Sequence, residues 1–237
     1  MMSNRYFQNF PEINYNLESE KIVTIKDFFR KSKIEQNAVD ALVSYDLYEL
    51  TEGERPDIAA ARLYGDQNLH WTFFLVNDIE NYFDWYKDSA TFERHINKKY
   101  PGKLAVGTQS TDILTSSSKF LMGEKVTSVS AEGRIIEVSP LEKRICIEDG
   151  DFVANELITG SVSGKTFTPT SVVEQRDGIK FYKNADGLRA NTELSGYTGV
   201  TFYEDELELN ENKRFIKYID PALINSVVSR FGQIMSG

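Results

Sequence analysis

The spacing of apolar and polar positions changes several times along the chain, and each change predicts an element. From Ser44, "SYDLYELTEGE" alternates apolar with polar residues and stops at Gly53, which predicts a strand followed by a turn. Pro56 then suits a first helical position, where the N–H it lacks is not needed. In a helix from about Pro56 to Tyr64, Ile58, Ala59 and Leu63 share one face, and Gly65 supplies a left-handed cap. Asn68 is placed to cap a second helix, "LHWTFFLVN". Its Leu69, Trp71, Phe73, Phe74 and Val76 cover more than one side, so this helix must be buried from several directions. Strand, helix, tight bend and helix make one compact block. The two helices would lie on a two-stranded sheet whose second strand is expected after Trp85. At the other end, "RFIKYIDPALINSVVSRFGQIMSG" reads as a strand to Ile219, a cap at Asp220, and Pro221 in the first helical turn. Leu223, Ile224, Val227, Val228, Phe231 and Ile234 then form a wide apolar stripe.

The remaining segments are less regular. "RYFQNFPEINYNL" keeps neither period and reads as an extended arm with too little apolar surface to order itself, so its aromatics dock either on this protein's body or on a partner. Thr24 to Arg30 reads as a short helix, with Thr24 as cap and Asp27 as the acid three positions on. From Gly102 to about Ser118, Ser, Thr and Gly predominate, as in a linker. A β-rich stretch follows, with a faint internal repeat. "FLMGEKVTSVSAEG" from Phe120 and "FVANELITGSVSG" from Phe152 share Phe, Glu, an apolar residue and Thr in register, too briefly for a solenoid. Ile135, Val138, Ile145 and Ile147 flank turn candidates at Ser139-Pro140 and Asp149-Gly150, as in a small barrel or sandwich. "NADG" at Asn184 to Gly187 reads as a hairpin turn, and "EDELELNENK" as a solvated acidic face. The fold class is therefore α+β. Its parts are an arm and helix (1–43), an α/β module (44–101), a linker (102–118), a β-rich domain (119–200) and a C-terminal strand and helix (201–237).

Composition narrows the chemistry. Apolar residues at 41% and aromatics at 12% are enough for a core. A formal charge of −9 and a pI near 4.9 oppose wrapping a phosphate backbone, so nucleic acid is not an expected partner. Nowhere do eighteen apolar residues run together, and the start lacks the apolar stretch of a signal peptide. The expectation is a chain made soluble in the cytosol, with no membrane partner. The one cysteine, Cys146, sits in the alternating "RICIE" and reads as a small core hydrophobe.

Motifs that resemble catalytic or binding signatures each lack a necessary part. "GSVSGKTF", Gly160 to Phe167, has three residues between its glycines where a phosphate loop has four, and "TPTSVV" after it predicts a strand rather than a helix N-terminus. His70 and His95 sit in no metal-ligand spacing, and no Gly-x-Ser-x-Gly elbow or calcium loop occurs. The carboxylate runs Glu204 to Glu206 and Asp149 to Asp151 lie in turns or charged stretches. No catalytic, cofactor or metal site is expected, and the chain is read as a non-enzyme.

The block read first, "YDLYELTEGERPDIAAARLYGDQNLHWTFFLVNDIENYFDW", resembles the LysM-like core of a phage baseplate wedge family, gene product fifty-three of T-even contractile tails. The resemblance rests on the Gly53-Glu54-x-Pro56 turn, Ile58-Ala59-Ala60, Leu63-Tyr64-Gly65-Asp66, His70-Trp71, Asn77-Asp78 and Asp84-Trp85. "RYFQNFPEINYNL" and "NENKRFIKYIDPALI" are similar to that family's ends. Together these cover roughly half the chain, and residues 102–199 would be a β-rich insertion within it. The resemblance implies a LysM-like βααβ core and a structural virion protein of the tail baseplate. Its partners would be other wedge and hub proteins, with six copies around the tail axis. Under it the candidate partner contacts are Tyr6, Phe7, Phe10, Leu223, Val227 and Phe231, whose alternative is packing inside the chain itself. A LysM-type peptidoglycan- or glycan-binding module is the other function that this core implies.

Overall fold

The computed structural model describes residues 5–17, 21–27, 45–107, 120–140 and 142–236. In chain order, β1 (Glu12–Leu17) and β2 (Lys21–Lys26) precede β3 (Tyr45–Glu49), α1 (Pro56–Tyr64) and α2 (Trp71–Val76). Next come α3 (Ser89–Lys99), β4 (Lys103–Val106), β5 (Lys125–Thr127), β6 (Glu132–Ser139) and β7 (Arg144–Glu148). Then follow β8 (Ile158–Gly160), β9 (Thr166–Phe167), β10 (Ser171–Glu174), β11 (Ile179–Lys183), β12 (Arg189–Ala190) and β13 (Thr198–Thr201). The chain closes with α4 (Phe202–Asn212), β14 (Phe215–Ile219) and α5 (Ile224–Ser236). The fold is mixed α+β, in two compact units: Met1–Asp88 with Asn210–Gly237, and Ser89–Leu209.

In the first unit, β3 and β14 form a two-stranded antiparallel sheet, with Phe215 opposite Glu49 and Ile219 opposite Tyr45. The expected second strand is thus present, but it comes from far along the chain. α1 begins at Pro56 and ends at Gly65, whose φ of 74° is the left-handed cap that a side chain would strain. The second helical segment opens with a 3-10 turn, Gln67–His70. Asp66, not Asn68, caps it, accepting from the Asn68 N–H at 2.9 Å. Ala59, Ala60, Leu50, Phe73, Trp85 and Ile216 form one core, where the small alanines let α1 approach the sheet closely.

The N-terminal segment is more ordered than an extended arm. β1 pairs with β2 in register from Glu12 opposite Lys26 to Leu17 opposite Lys21. The helix expected from Thr24 is corrected here: Thr24 to Lys26 are strand, because Ile22, Val23, Thr24 and Ile25 are consecutive β-branched residues that favour extended backbone over a cap. Asp27 follows the strand and donates its N–H to the Pro11 carbonyl at 2.8 Å, and residues 28–30 of the expected helix lie outside the described residues. α5 starts at Ile224, later than the Asp220 cap implied. Asp220 caps only a turn, through the Ala222 N–H at 2.8 Å.

In the second unit, a seven-stranded sheet runs β10-β4-β7-β6-β5-β8-β9, beside a three-stranded sheet β12-β11-β13. The barrel alternative does not hold, since the larger sheet is open, with β10 and β9 at its edges. β4, inside the expected linker, is an interior strand, because Leu104 and Ala105 are fully apolar and both are buried against its neighbours. Residues 108–118 of that linker lie outside the described residues. Phe120, Val126, Ile135, Ile145, Ile147, Phe152, Ile158 and Phe167 make the core. "NADG" is the β11–β12 turn as read, with Asn184 Oδ1 accepting from the Asp186 and Leu188 N–H groups.

Candidate functional site

All six candidate contact residues meet in one aromatic cluster of the first unit. Trp71 and Phe231 have ring centroids 4.5 Å apart, and the Tyr6 ring lies 5.6 Å from Trp71, 5.3 Å from Phe231 and 5.1 Å from Phe10. Leu223 and Val227 of α5 pack on the same cluster. Phe10 and Phe231 are only 2% and 6% exposed, so they are buried in the chain's own core. Phe7 is different. It sits edge-on to Tyr6 at 4.9 Å yet remains 55% exposed, an apolar ring held at the surface by buried neighbours.

Other residues of the β3–α1–α2 block act as braces. Glu54, at the turn into α1, is almost wholly buried. Its carboxylate accepts from Tyr48 at 3.0 Å, from the Thr51 N–H and hydroxyl at 2.9 and 3.0 Å, and pairs with Arg62 at 3.0 Å. Its carbonyl accepts from Trp85 Nε1 at 2.9 Å, which ties Trp85 to the turn. A buried charge so fully bonded costs little in place and much if its partners are removed. Asn77 secures β14: its amide donates to the Lys217 carbonyl and accepts from the Lys217 N–H, both at 2.8 Å, as an added strand residue would. The Tyr64 hydroxyl accepts from the Ile219 N–H at 3.1 Å. Burial raises the Tyr64 phenol, with the hydrogen bonds from Thr72 and Ile219 pulling the other way. Asn210 likewise holds the backbone of Lys87 on both sides, at 3.0 and 2.9 Å.

The second unit concentrates charge. Asp205 and Glu206 of α4 are buried while Glu204 and Glu208 are exposed, so "EDELELNENK" is the expected solvated face only in part. Lys180 pairs with Asp205, Arg189 lies 3.4 Å from it, and Glu206 accepts from Lys99 and Tyr100 at 2.8 Å each. Burial acts to raise the Glu206 carboxyl, but Lys99, Tyr100 and Lys180 outweigh it and leave the group below the usual carboxylate range. The Tyr100 phenol moves upward, by burial first and then by Glu206. The Cys146 thiol, buried and 3.7 Å from Glu137, is pushed up to about 12 by burial and that carboxylate, which makes it a poor nucleophile. His70 Nδ1 lies 2.9 Å from the Gln67 carbonyl, and His95 Nε2 is 4.0 Å from Glu206. In "GSVSGK", the N–H groups of Val162 and Ser163 are donated to Glu124, so the amides that a phosphate would need are engaged by the chain's own carboxylate. Among the described residues, no group of three or more His, Cys, Asp or Glu is arranged to hold a metal ion. What this arrangement can do is hold segments distant in sequence together and present apolar rings at a surface.

A family model described as base plate wedge protein 53 matches residues 6–109. Over these residues the chain is similar to that family. The matched range begins at Tyr6 and includes the hairpin, the 44–101 module, and the Glu54, Tyr64, Asn77 and Trp85 braces. It reaches to just past β4, which includes α3 of the second unit. The family is one of structural phage baseplate proteins. None of the curated proteins matches the chain. Sequence reasoning singled out Tyr64, Asn77 and Trp85 by resemblance; the brace roles of Tyr64 and Asn77 depend on a strand more than a hundred residues away, and that of Trp85 on the Glu54 carbonyl, so none left a local signal.

Proposed function

We propose that the chain is a structural wedge subunit of a contractile phage tail baseplate, joining neighbouring wedge proteins through protein–protein contacts and performing no reaction of its own. The family match over residues 6–109 carries this reading. Under it, β3, α1, α2 and β14 are a LysM-like βααβ core, into whose final connection the β-rich segment is inserted. Support for the insertion is that the first unit resumes at Asn210, whose amide grips Lys87 on the outgoing chain. Phe7, exposed beside Tyr6 and Phe10, is the part of the aromatic cluster open to a partner, and Leu223 and Val227 pack half-buried on that cluster. Six copies would surround the tail axis and touch other wedge and hub proteins in the virion, after synthesis in the host cytoplasm. No described helix is long and apolar enough to cross a membrane.

A glycan-binding role for the LysM-like core would need aromatic faces open for stacking on sugar: Trp71, Phe73 and Trp85 are buried, so it would fall to the exposed rings Tyr82, Phe83 and Phe215. Co-expression with neighbouring tail proteins and sizing of the product tests the proposal: a stoichiometric complex supports it, and a chain that stays alone while its neighbours assemble refutes it.

A further inference from the structure

The faint repeat in the β-rich segment has a structural counterpart. Phe120 and Phe152 are both buried in the same core. At the same spacing, Gly123 and Asn155 both adopt left-handed backbone, with φ of 82° and 66°. Glu124 and Glu156 follow them, and Val126 and Ile158 are fully buried. Thr127 and Thr159 are directly paired where β5 meets β8 antiparallel, so the dyad that exchanges the two copies passes through this pair. Even the backbone bonds agree: Gly123 N–H donates to Ile135 O and Asn155 N–H to Pro169 O, both at 2.8 Å. The second hairpin simply has a longer turn.

The two glutamates are exchanged. Glu124 accepts from the N–H groups of Val162 and Ser163 at 3.2 and 3.0 Å, in the Ser161-Val162-Ser163 turn of the second copy. Glu156 accepts from the Ser130 N–H at 3.1 Å and the Ser130 hydroxyl at 2.6 Å, in the Ser128-Val129-Ser130 turn of the first copy. Each carboxylate thus fixes the other copy's turn, whose central valine, Val129 or Val162, points into solvent at 93% or 72% exposure.

We propose that residues 120–140 and 152–170 are two copies of one hairpin, latched to each other by the exchanged glutamates, and that protonation of Glu124 and Glu156 opens the latch. Burial opposes ionisation of Glu124, but the Ser163, Leu121 and Val162 donors together hold its carboxyl below the usual range. Ser130 and Ser128 do the same for Glu156. Among the described residues neither carboxylate is in an ion pair. The charged groups around Glu124 are Arg134, bonded to the Gly123 carbonyl, Lys125, paired with Glu132, and Lys165, whose N–H meets Ser163 Oγ. Around Glu156 they are Asp151, whose carbonyl accepts from Ser130, and Lys103, 4.0 Å from the Asp151 carboxylate. Of the carboxylates nearby, Glu124 and Glu156 are the ones that accept from the N–H groups of the two turns, so their ionisation is what reaches the latch. Both carboxyls being depressed, the latch is complete above the ordinary glutamate range and is lost as pH falls through their lowered values.

Amide hydrogen exchange on the full chain, corrected for intrinsic rates, tests this. On acidification of the unmodified protein, protection at Val162, Ser163 and Ser130 should fall together by about tenfold or more, while β7 and β4 stay protected. At neutral pH, Glu124→Gln should release Val162 and Ser163, Glu156→Gln should release Ser130, and each variant should also loosen the turn on the other side. Turns that keep their protection in acid, or that open only with the whole sheet, would overturn the proposal. So would two variants whose effects are independent of one another.

Discussion

Replacing Phe10 with alanine separates an arm built into the core from an arm held in reserve for a partner. Phe10 is 2% exposed and packs on Tyr6 and Phe231, in the cluster that also holds Trp71, Ile219 and Val228. Deleting a buried phenylalanine to alanine costs roughly 3–5 kcal/mol, through lost transfer free energy plus the cavity left behind. Because the segment is near the chain's N-terminal end and its neighbours can relax into the space left, the low end, about 3 kcal/mol, is expected. Phe7→Ala is the internal control: its ring is 55% exposed, and a surface change of this kind costs within about 0.5 kcal/mol. The assay is thermal unfolding followed by tryptophan fluorescence. Both tryptophans, Trp71 and Trp85, lie in the first unit, so the signal is not diluted by the second. Phe10→Ala should lower the midpoint by roughly 10 °C and Phe7→Ala by no more than about 2 °C. Equal and small shifts for both would show that the arm does not contribute to the core, and the packing described for it would be wrong.

Asn77→Ala leaves the Lys217 N–H and carbonyl without their side-chain partner. Because that edge is open to water, the expected cost in chemical denaturation is about 1–2 kcal/mol rather than the full penalty of a buried group, and Asn77→Asp, which keeps only the acceptor, should fall between. If neither variant moves the midpoint, Asn77 does not brace the strand. Glu206 contributes through its depressed carboxyl, so its share of second-unit stability is present above the ordinary glutamate range and is lost as pH falls through the lowered value. Exchange protection of α4 and β11 should therefore decline in acid, and Glu206→Gln should flatten that decline. An unchanged acid profile in the variant would contradict the assignment.

The sequence revealed local features better than distant ones. Pro56 and Gly65 bounded α1, and the alternation in "SYDLYEL" located β3, because helix caps and strand periodicity are set by neighbours a few residues away. The partner of β3 could not be placed by such signals, since β14 arrives after the whole second unit and is secured by Asn77 and Tyr64. α4 was overlooked although a signal was there. Thr201 and Glu204 form a reciprocal capping box, the Thr201 N–H donating to Glu204 at 2.8 Å and the Glu204 N–H to Thr201 Oγ1 at 3.1 Å. Its acidic run looked solvated because the cations that neutralise Asp205 and Glu206, among them Lys180 and Lys99, come from other elements. For the aromatic cluster, the residue types were legible, but not which rings would turn inward. Phe7 and Phe10 are three positions apart in the same short segment, and only the 3-10 turn Tyr6–Asn9 with α5 packed on it decides that Phe10 is covered and Phe7 is not.

The central claim, that this chain serves by binding other baseplate proteins, is tested most directly by purifying it after co-expression with its neighbouring tail proteins and measuring the mass of what elutes. A complex of fixed stoichiometry that Phe7→Ser weakens without unfolding the isolated chain is the predicted result. A chain that elutes alone, and is instead retained on peptidoglycan through high salt, would contradict the account.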